Sequence, residues 1–432
     1  MKKIYQYILL VVAMVATASC SNELDDTLQP VNNGNLQFVV SDFPMFGEGT
    51  LTRAIGTQDE GKTAWENGDQ IIVTLISQKY GEQAAALTYD GSSWSTEASL
   101  SYLENETPSV SVFYAPCYEV TEEGTMQLRS GMQLGMTEYL SGNYEIENGI
   151  MTITFEGAIR TYSRLRIVGL PNHTLTVTTT DFTPAGATEV ATAAYTLTTD
   201  DNGNAFLYGV FAEDATISVK QGDITLKDYT FTVEKNPNGT EYNKSYALEA
   251  RPVIDGTLGG KTEATEDDIT ALVEQLKEYV DNGITTIIVP GSEPAMIDVG
   301  SLTITAIGEA IYRLSKEESY NGKIDLVLPD VTEIVDQEFY GARALNSINL
   351  PKVTTVGDGA FYDCQYLEEL TFGSVVTAIN HKLRAEFYKV GEKVEGCDLV
   401  LNREQVNAEA DYQPNIETRT WWNTEWKSIT LK

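Results

Sequence analysis

Short apolar runs with strand character dominate the chain from Leu36 to Ala250. The runs are rich in β-branched and aromatic residues, and Gly, Asn, Asp and Pro interrupt them; examples are 71–76, 110–114, 151–155, 175–177, 217–219 and 229–233. In several runs apolar residues alternate with Thr or Ser, the pattern of a strand with one buried and one solvated face. Repeated strands of this kind predict two antiparallel β-sandwiches in tandem, the first over 36–145 and the second over 146–250.

The apolar pattern changes to helical spacing at Thr265, after a polar linker over 251–264. Thr265 and Asp268 are spaced as in a capping box, in which each side chain can satisfy backbone N–H groups of the first helical turn. Asn282-Gly283 is a typical helix end. Before it, apolar residues recur at intervals of three or four: Ile269, Leu272, Val273, Leu276 and Val280. One amphipathic helix is therefore predicted, covering the open end of the segment that follows.

An internal repeat with a period of 22 residues follows the helix. Segment 324–334 aligns with segment 346–356 at the apolar positions that should be buried, and a third unit begins at Leu370. A less regular unit precedes them over 287–312. Periods of about 20–29 residues with this apolar spacing predict a leucine-rich solenoid, in which each unit buries its apolar face only against its neighbours. The solenoid is expected over about 285–380, with a C-terminal cap that completes the domain 265–432.

The N-terminus has the three parts of a secretory signal. Two lysines precede a short apolar run over 8–16, and small residues lead to Cys20. The run is too short to span a bilayer, which takes about 20 residues. The pattern resembles a bacterial lipoprotein signal, which implies that residues 1–19 are removed and that Cys20 carries the lipid at the head of a flexible tether over 20–35. The alternative is an ordinary signal peptide with an incidental cysteine.

Acidic residues are in large excess, with 63 Asp and Glu against 29 Lys and Arg and a formal net charge of −34. Such a surface repels phosphate backbones, so nucleic-acid binding is excluded as the function, and membrane contact is expected through the lipid alone. Hydrophobic residues make up 42% of the chain, so the charge accompanies cores of normal size. An acidic stretch directly after Cys20 also resembles signals that send lipoproteins to the cell surface across the outer membrane.

Few residues suit catalysis or metal binding. His173 and His381 are the two histidines, and Cys117, Cys364 and Cys397 form no C-x-x-C pair. This composition argues against a metal site, a cofactor and a catalytic triad, so a non-enzymatic protein is expected. Buried free thiols are the favoured state of the cysteines, with a Cys364–Cys397 bridge as the alternative. A hydrolase with paired carboxylates stays open, because 63 acids cannot exclude it by number.

Residues 62–73 resemble a segment of fimbrillin-like proteins, the subunits and accessory proteins of type V pili. The shared pattern is W-x-x-G-D-x-I-x-V, and segments 113–116, 155–167 and 242–248 are also similar. The resemblance implies two transthyretin-like sandwiches, export as a lipoprotein and, in some members, assembly by strand donation after cleavage at a basic residue. Arg53 stands where that cleavage would fall, although an ordinary exposed arginine is the favoured interpretation.

Residues 348–367 resemble the repeats of BspA-type bacterial surface proteins. The shared form is L-x-L-P-x-V-T-x-I-x-x-x-x-F-x-x-C-x-x-L, in which Cys364 takes a structural position. Members of this family commonly bind matrix proteins, other bacteria or host receptors. With both resemblances, the expected fold is mainly β, with tandem antiparallel sandwiches followed by a short leucine-rich repeat solenoid and one capping helix.

Alternation along the repeat strands identifies candidate ligand-binding residues. Side chains that neighbour buried leucines and isoleucines should face outward from the strands, on the concave face where solenoids usually bind partners: Asp325, Ser347, Asn349, Glu369 and Thr371. A merely solvated face is the alternative. Trp421, Trp422 and Trp426 add a second candidate, because flat aromatic faces suit sugar rings. A cap packed over the last repeat is favoured over this sugar platform, since solenoid ends need covering.

These patterns together predict a lipid-anchored outer-membrane protein at the cell surface, acting in adhesion or in association with fimbriae. Its expected partners are a host or bacterial surface protein or a glycan, together with pilus subunits if the sandwich half assembles. A surface glycan-binding lipoprotein is the alternative function.

Overall fold

The computed structural model describes residues 37–44, 62–103, 106–147, 149–155, 160–231, 239–380 and 386–432. The predicted signal peptide, the tether, Cys20 and Arg53 lie outside these residues. The chain divides into two compact units. The described residues of the first are 37–44, 62–131 and 139–155, and those of the second are 132–138 and 160–432, apart from the gaps already given.

The described residues of the first unit form nine strands: β1 (Gln37–Val40), β2 (Gln70–Ser77), β3 (Gly81–Tyr89), β4 (Trp94–Ser95), β5 (Ser109–Tyr114), β6 (Tyr118–Val120), β7 (Met126–Leu128), β8 (Leu140–Glu147) and β9 (Ile150–Thr154). Seven of them form one sheet in the order β1-β9-β8-β5-β2-β3-β4, and β6 pairs with β7. Neighbours are antiparallel except β1 and β9, which run parallel. The alternating runs of the sequence are therefore sheet strands.

Trp65 anchors an aromatic cluster in the first unit. Its indole Nε1 donates to the Ser41 carbonyl at 2.8 Å, and the rings of Phe43, Trp94 and Tyr114 meet it edge to face at 4.8–5.2 Å. Gly68 supports the turn before β2 with a φ of 93°, a conformation that glycine adopts without strain. The W-x-x-G-D segment thus has a packing role.

The boundary between the two β-rich regions lies later than the sequence pattern suggests. Strands β8 and β9 form a hairpin paired from Asn143–Thr154 to Glu147–Ile150, across the boundary placed at residues 145 and 146. Both strands belong to the first sheet, and the second sheet begins at Ser163. The polar residues that suggested a boundary belong to the solvated face and the turn of this hairpin.

A second seven-stranded sheet opens the second unit. Its strands are β10 (Ser163–Val168), β11 (Thr174–Pro184), β12 (Ala191–Thr198), β13 (Asn204–Phe211), β14 (Thr216–Gln221), β15 (Ile224–Thr230) and β16 (Ser245–Glu249). The order is β15-β14-β11-β13-β10-β16, with β12 paired to β11. One buried ion pair lies beside this sheet, where Arg160 Nε meets Glu138 Oε2 at 2.8 Å and the Tyr162 hydroxyl donates to the same oxygen at 3.0 Å.

Residues 251–264, expected as a linker, are part of the repeat domain. Val253 bridges to Ile288 in parallel, and the Ile254 amide donates to the Ile288 carbonyl at 2.9 Å. The Ile254 side chain is fully buried in the repeat core. A further bridge joins Glu263 to Met296. The segment therefore pairs with two separate strands of the repeat domain.

Helix α1 (Glu266–Asp281) matches the predicted helix closely. Thr265 and Asp268 form the capping box, and Ile269, Leu272, Leu276 and Tyr279 are buried. A second helix, α2 (Ala306–Leu314), was not expected, because the sequence there reads as an irregular repeat. Thr305 caps it by accepting a hydrogen bond from the Gly308 amide at 3.1 Å. The Thr305 cap thus begins a helix in a stretch that the sequence pattern assigned to a repeat unit.

Outside the gap at 381–385, the repeat region contains thirteen strands: β17 (Thr286–Ile288), β18 (Met296–Val299), β19 (Leu302–Thr305), β20 (Ile324–Val327), β21 (Glu333–Ile334), β22 (Leu345–Leu350), β23 (Thr355–Val356), β24 (Glu369–Phe372), β25 (Ala378–Ile379), β26 (Asp398–Leu401), β27 (Thr420–Trp421), β28 (Thr424–Glu425) and β29 (Ser428–Leu431). Six form a parallel sheet in the order β17-β20-β22-β24-β26-β29, and β21-β23-β25 form a second parallel sheet. The fold is mainly β with a leucine-rich repeat region, as predicted.

Equivalent phenylalanines stack from one repeat to the next inside the solenoid. Phe339 lies over Phe361 with ring centroids 5.7 Å apart, and Phe361 lies over Phe387 at 5.8 Å. Phe387 then contacts Trp421 and Trp426 of the C-terminal segment. The stack explains the period of 22 residues between the first two rings, because each ring is buried by the equivalent ring of the next unit. The C-terminal tryptophans close it as a cap.

Candidate binding surface on the repeat sheet

The outward face of the six-stranded parallel sheet carries two rows of aligned side chains. The first, here called the acidic row, consists of Thr286, Asp325, Ser347, Glu369, Asp398 and Ser428. The second, here called the inner row, consists of Ile288, Val327, Asn349, Thr371, Val400 and Thr430. Adjacent strands lie about 4.8 Å apart, so each row is a ladder with regular spacing.

All five candidates from the repeat strands belong to these rows. Asp325, Ser347 and Glu369 are successive members of the acidic row, and Asn349 and Thr371 are adjacent in the inner row. Their strand neighbours Leu326, Ile348 and Leu370 are buried as the alternation requires; the other buried members are Leu328, Leu350 and Phe372. The parallel register thus brings together residues 46 positions apart in sequence.

Hydroxyl groups orient the carboxylates of the acidic row. Ser347 Oγ donates to Asp325 Oδ1 at 2.7 Å, and Asn346 Nδ2 donates to the same oxygen at 2.8 Å. Thr371 Oγ1 donates to Glu369 Oε1 at 3.0 Å. The carboxylates therefore have fixed positions from which their remaining lone pairs can accept hydrogen bonds from a partner.

The sequence pattern missed the continuation of the acidic row at its C-terminal end. Ser428 Oγ donates to Asp398 Oδ1 at 2.7 Å, and Lys427 Nζ lies 3.5 Å from Asp398 Oδ2. Segment 398–401 reads as a strand in the sequence, but the repeat period is lost before it. Alignment of Asp398-Leu399 with Glu369-Leu370 is the signal that would have found this end of the row.

The sugar-platform prediction is wrong for two of the three tryptophans. Trp421 and Trp426 are 1% and 2% exposed and belong to the repeat core, so their ring faces are not available to a ligand. Trp422 is partly exposed and stacks on Tyr412 with ring centroids 5.2 Å apart. Its indole Nε1 donates to Glu386 Oε2 at 3.1 Å. Trp421 and Trp426 are therefore buried residues of the cap, and Trp422 packs against the same core but stays partly exposed.

The described cysteines are structural. Cys117, Cys364 and Cys397 are buried, and Cys364 Sγ donates to the Phe339 carbonyl at 3.0 Å. Burial raises the pKa of the Cys364 thiol far above its ordinary value and does the same for Cys397. A protonated, buried thiol is a poor nucleophile and a poor metal ligand. Neither cysteine belongs to a reactive site.

A buried carboxyl group connects α2 to the next repeat. Glu338 is 3% exposed, its Oε2 accepts from the Thr305 amide at 3.1 Å, and its Oε1 accepts from the Thr305 hydroxyl. Burial raises the pKa of Glu338 to about 7, while the hydrogen bonds from Thr305 oppose that rise. A Cβ at Gly308 would lie 2.6 Å from Glu338 Oε1, so this close approach requires glycine. No sequence motif marks the group, because its surroundings arise only in the folded solenoid.

In the described part of the chain, no helix has the length and apolar character needed to cross a membrane. Among the same residues, no group of three or more His, Cys, Asp or Glu side chains is arranged to hold a metal ion.

Comparison with known proteins gives one informative match. No curated protein matches the sequence. A crystal structure from Bacteroides fragilis, of a protein for which a cell adhesion role has been suggested, is 11% identical and covers 50% of this chain and 92% of that chain. Its TM-score of 0.28 is too low to carry an argument. The family model described as a BspA type leucine rich repeat region (6 copies) matches residues 322–390, so the C-terminal part of the chain carries BspA-type leucine-rich repeats.

Proposed function

We propose that this chain is a non-catalytic adhesion protein of the bacterial cell surface and that its repeat sheet binds a protein partner. The observation that supports this proposal is a BspA-type repeat region whose outward sheet face carries two uninterrupted rows of side chains. Parallel strands give that face a regular spacing, and hydroxyl groups orient its carboxylates. Ile288 and Val400 of the inner row are buried, so the exposed polar groups of this face come mainly from the acidic row and from Asn349 and Thr371. An ordered sheet face of this kind suits recognition of another surface better than it suits chemistry in an enclosed cleft.

Charge indicates the kind of protein partner. The chain has a formal net charge of −34, and the acidic row adds Asp325, Glu369 and Asp398 to the candidate face. A complementary partner presents lysines or arginines, and attraction between the two surfaces raises the association rate at low salt. Binding is therefore expected to weaken as ionic strength rises.

The test is binding of residues 20–432 to immobilised extracellular matrix proteins by surface plasmon resonance. The variant Asp325→Asn with Glu369→Gln removes two charges and keeps the size of both side chains. It should weaken binding at least fivefold. The matched control, Asp223→Asn with Asp228→Asn, makes the same charge change at exposed positions in and beside β15. Equal affinities of the two double variants would refute a role for the acidic row.

Anchoring by Cys20 is the second part of the proposal. The signal-like N-terminus supports it, and export is consistent with a surface adhesin. Palmitate labelling and intact mass should find lipid on the wild-type chain and none on Cys20→Ser. Protease treatment of whole cells distinguishes the outer face, where the chain is digested, from the periplasmic face, where it is protected.

A fimbria-associated role for the N-terminal half is the third part. Its support is the resemblance of segment 62–73 to fimbrillin-like proteins, whose strand donation after cleavage would involve Arg53. If the chain joins a pilus, pull-down with the lipidated chain should recover pilus subunits, and Arg53→Ala should abolish that recovery. A chain that recovers no subunits acts as an adhesin without a pilus.

A further inference from the structure

A polar cleft lies beside Trp422 at the C-terminal end of the repeat domain. It has a volume of about 530 Å³, and its walls are Asp411, Gln413, Asn415, Thr420, Trp421, Trp422 and Asn423. Volumes of about 300–1,000 Å³ are typical of small-ligand sites in proteins. Five of these seven side chains carry carboxylate, amide or hydroxyl groups, and the other two are the buried Trp421 and the partly exposed Trp422.

The backbone places Trp422 where a bulky residue is unusual. Strands β27 and β28 pair Trp421 with Thr424, so Trp422 and Asn423 are the two central residues of the hairpin turn. Their φ angles are 47° and 56°, as in a type I′ turn, which favours Asn and Gly at both positions. Asn423 fits this preference, whereas Trp422 has a large side chain in a conformation that such residues rarely adopt.

Fixed contacts hold the Trp422 ring in position. Tyr412 covers one face at an interplanar angle of 10°, and Glu386 accepts the indole N–H. Tyr412 is itself held, because its carbonyl accepts from Trp421 Nε1 at 2.9 Å and from Gln405 Nε2 at 3.0 Å. A ligand therefore meets an aromatic side chain that is already ordered, which lowers the entropic cost of binding.

The polar side chains of the cleft have unused hydrogen-bonding capacity. Within the part of the chain that the structure describes, neither the Asp411 carboxylate nor the Asn423 amide makes a hydrogen bond with protein atoms. Gln413 uses its amide N–H group on the Ala408 carbonyl at 2.7 Å and keeps its oxygen available. Asn415 uses its oxygen on the Thr418 amide at 3.0 Å and keeps its N–H₂ group available. Acceptors and donors thus surround the indole.

We propose that this cleft is a binding subsite for a neutral oligosaccharide. A pyranose ring has C–H bonds on its face, which suit the negative face of an indole, and hydroxyl groups at its rim, which suit paired acceptors and donors. Asp411 and the overall charge of −34 disfavour sialylated, sulfated and uronic sugars. The subsite rests on the proposed adhesive function and names a ligand class for it, at a place separate in sequence from Asp325 and Glu369.

The test begins with residues 20–432 on an array of neutral, sialylated and sulfated glycans, followed by calorimetric titration with the best neutral oligosaccharide. Trp422→Asn removes the ring and keeps a residue that suits the turn. It should raise the dissociation constant at least tenfold, and Asp411→Ala, at an exposed position, should raise it at least threefold. The control Tyr242→Ala removes an aromatic side chain that is 53% exposed elsewhere in the chain and should change affinity less than twofold.

Three outcomes would overturn the subsite: no neutral glycan bound on the array, preference for acidic glycans, or unchanged affinity in both cleft variants. Circular dichroism of each variant checks the fold, and Asp411→Ala keeps the test decisive if Trp422→Asn misfolds. Failure of the subsite is distinguishable from failure of adhesion. If only the subsite proposal fails, the chain still binds matrix proteins, and that binding is still weakened by Asp325→Asn with Glu369→Gln. If only the adhesion proposal fails, matrix binding is absent while glycan binding remains.

Discussion

The buried carboxyl group of Glu338 should make the stability of the repeat domain depend on pH. Burial raises its pKa from the ordinary 4.5 to about 7 in the folded protein. Between these two values the folded state binds more protons than the unfolded state. The contribution of Glu338 is therefore fully favourable below about pH 4.5, and it is lost as the pH rises through about 7.

The substitution Glu338→Gln removes this dependence. A glutamine resembles the protonated acid, because its oxygen can accept the Thr305 amide and its N–H₂ group can donate to the Thr305 hydroxyl. A shift from 4.5 to about 7 corresponds to about 3 kcal/mol, since one pKa unit is 1.36 kcal/mol. Most of this change in the free energy of unfolding falls between pH 5 and pH 8. The variant should match the wild type at pH 5 and exceed its free energy of unfolding by about 2–3 kcal/mol at pH 8.

The assay is urea unfolding followed by tryptophan fluorescence. The chain has five tryptophans, and replacing Trp65 and Trp94 by phenylalanine leaves three reporters, all in the repeat cap. The matched control is Glu333→Gln, an exposed glutamate five positions earlier. It should leave the difference between pH 5 and pH 8 unchanged. If Glu338→Gln shows the wild-type pH profile, or if the wild type becomes less stable below pH 5 than the variant, the reasoning is wrong.

Three further predictions concern the core. Phe361→Ala should lower the free energy of unfolding, measured by heat or urea, by about 3–5 kcal/mol, because rings of both neighbouring repeats stack on Phe361. Tyr362→Ala, at a partly exposed position, should lower it by less. Glu138→Gln should cost about 3–5 kcal/mol because it removes one charge of the buried ion pair with Arg160, and a loss below 1 kcal/mol would contradict this. Cys364 should resist iodoacetamide in the folded chain and react after unfolding, as judged by mass spectrometry.

Features of the fold that depend on local sequence were predictable. Helix α1 follows from Thr265, Asp268 and five apolar residues, all within one short segment. The solenoid follows from its period, because each unit must present the same apolar positions to its neighbours. The outward-facing side chains of the repeat strands could also be predicted from the sequence. Once a strand is identified, the alternation of its side chains determines which of them face outward.

Features that depend on distant contacts were not predictable. Helix α2 begins inside the apolar run from Ile304, and its start depends on the Thr305 cap and on space at Gly308 for the carboxyl group of Glu338. Local propensity for such a β-branched stretch favours a strand. The hairpin from β8 to β9 was likewise misread as a boundary, because polar residues occur both in linkers and on the solvated face of a strand.

The tryptophan segment shows why residue type alone cannot assign a binding site. Trp421, Trp422 and Trp426 have the same side chain and lie within six positions, yet Trp421 and Trp426 are buried in the core, whereas Trp422 is partly exposed in the wall of a polar cleft. The difference arises from the hairpin, which turns Trp421 inward and places Trp422 at the turn. A sequence supplies the aromatic rings, but the backbone decides which of them a partner can reach. The glycan hypothesis therefore depends on one indole and its polar neighbours, and the other two tryptophans support it only by holding that indole's surroundings in place.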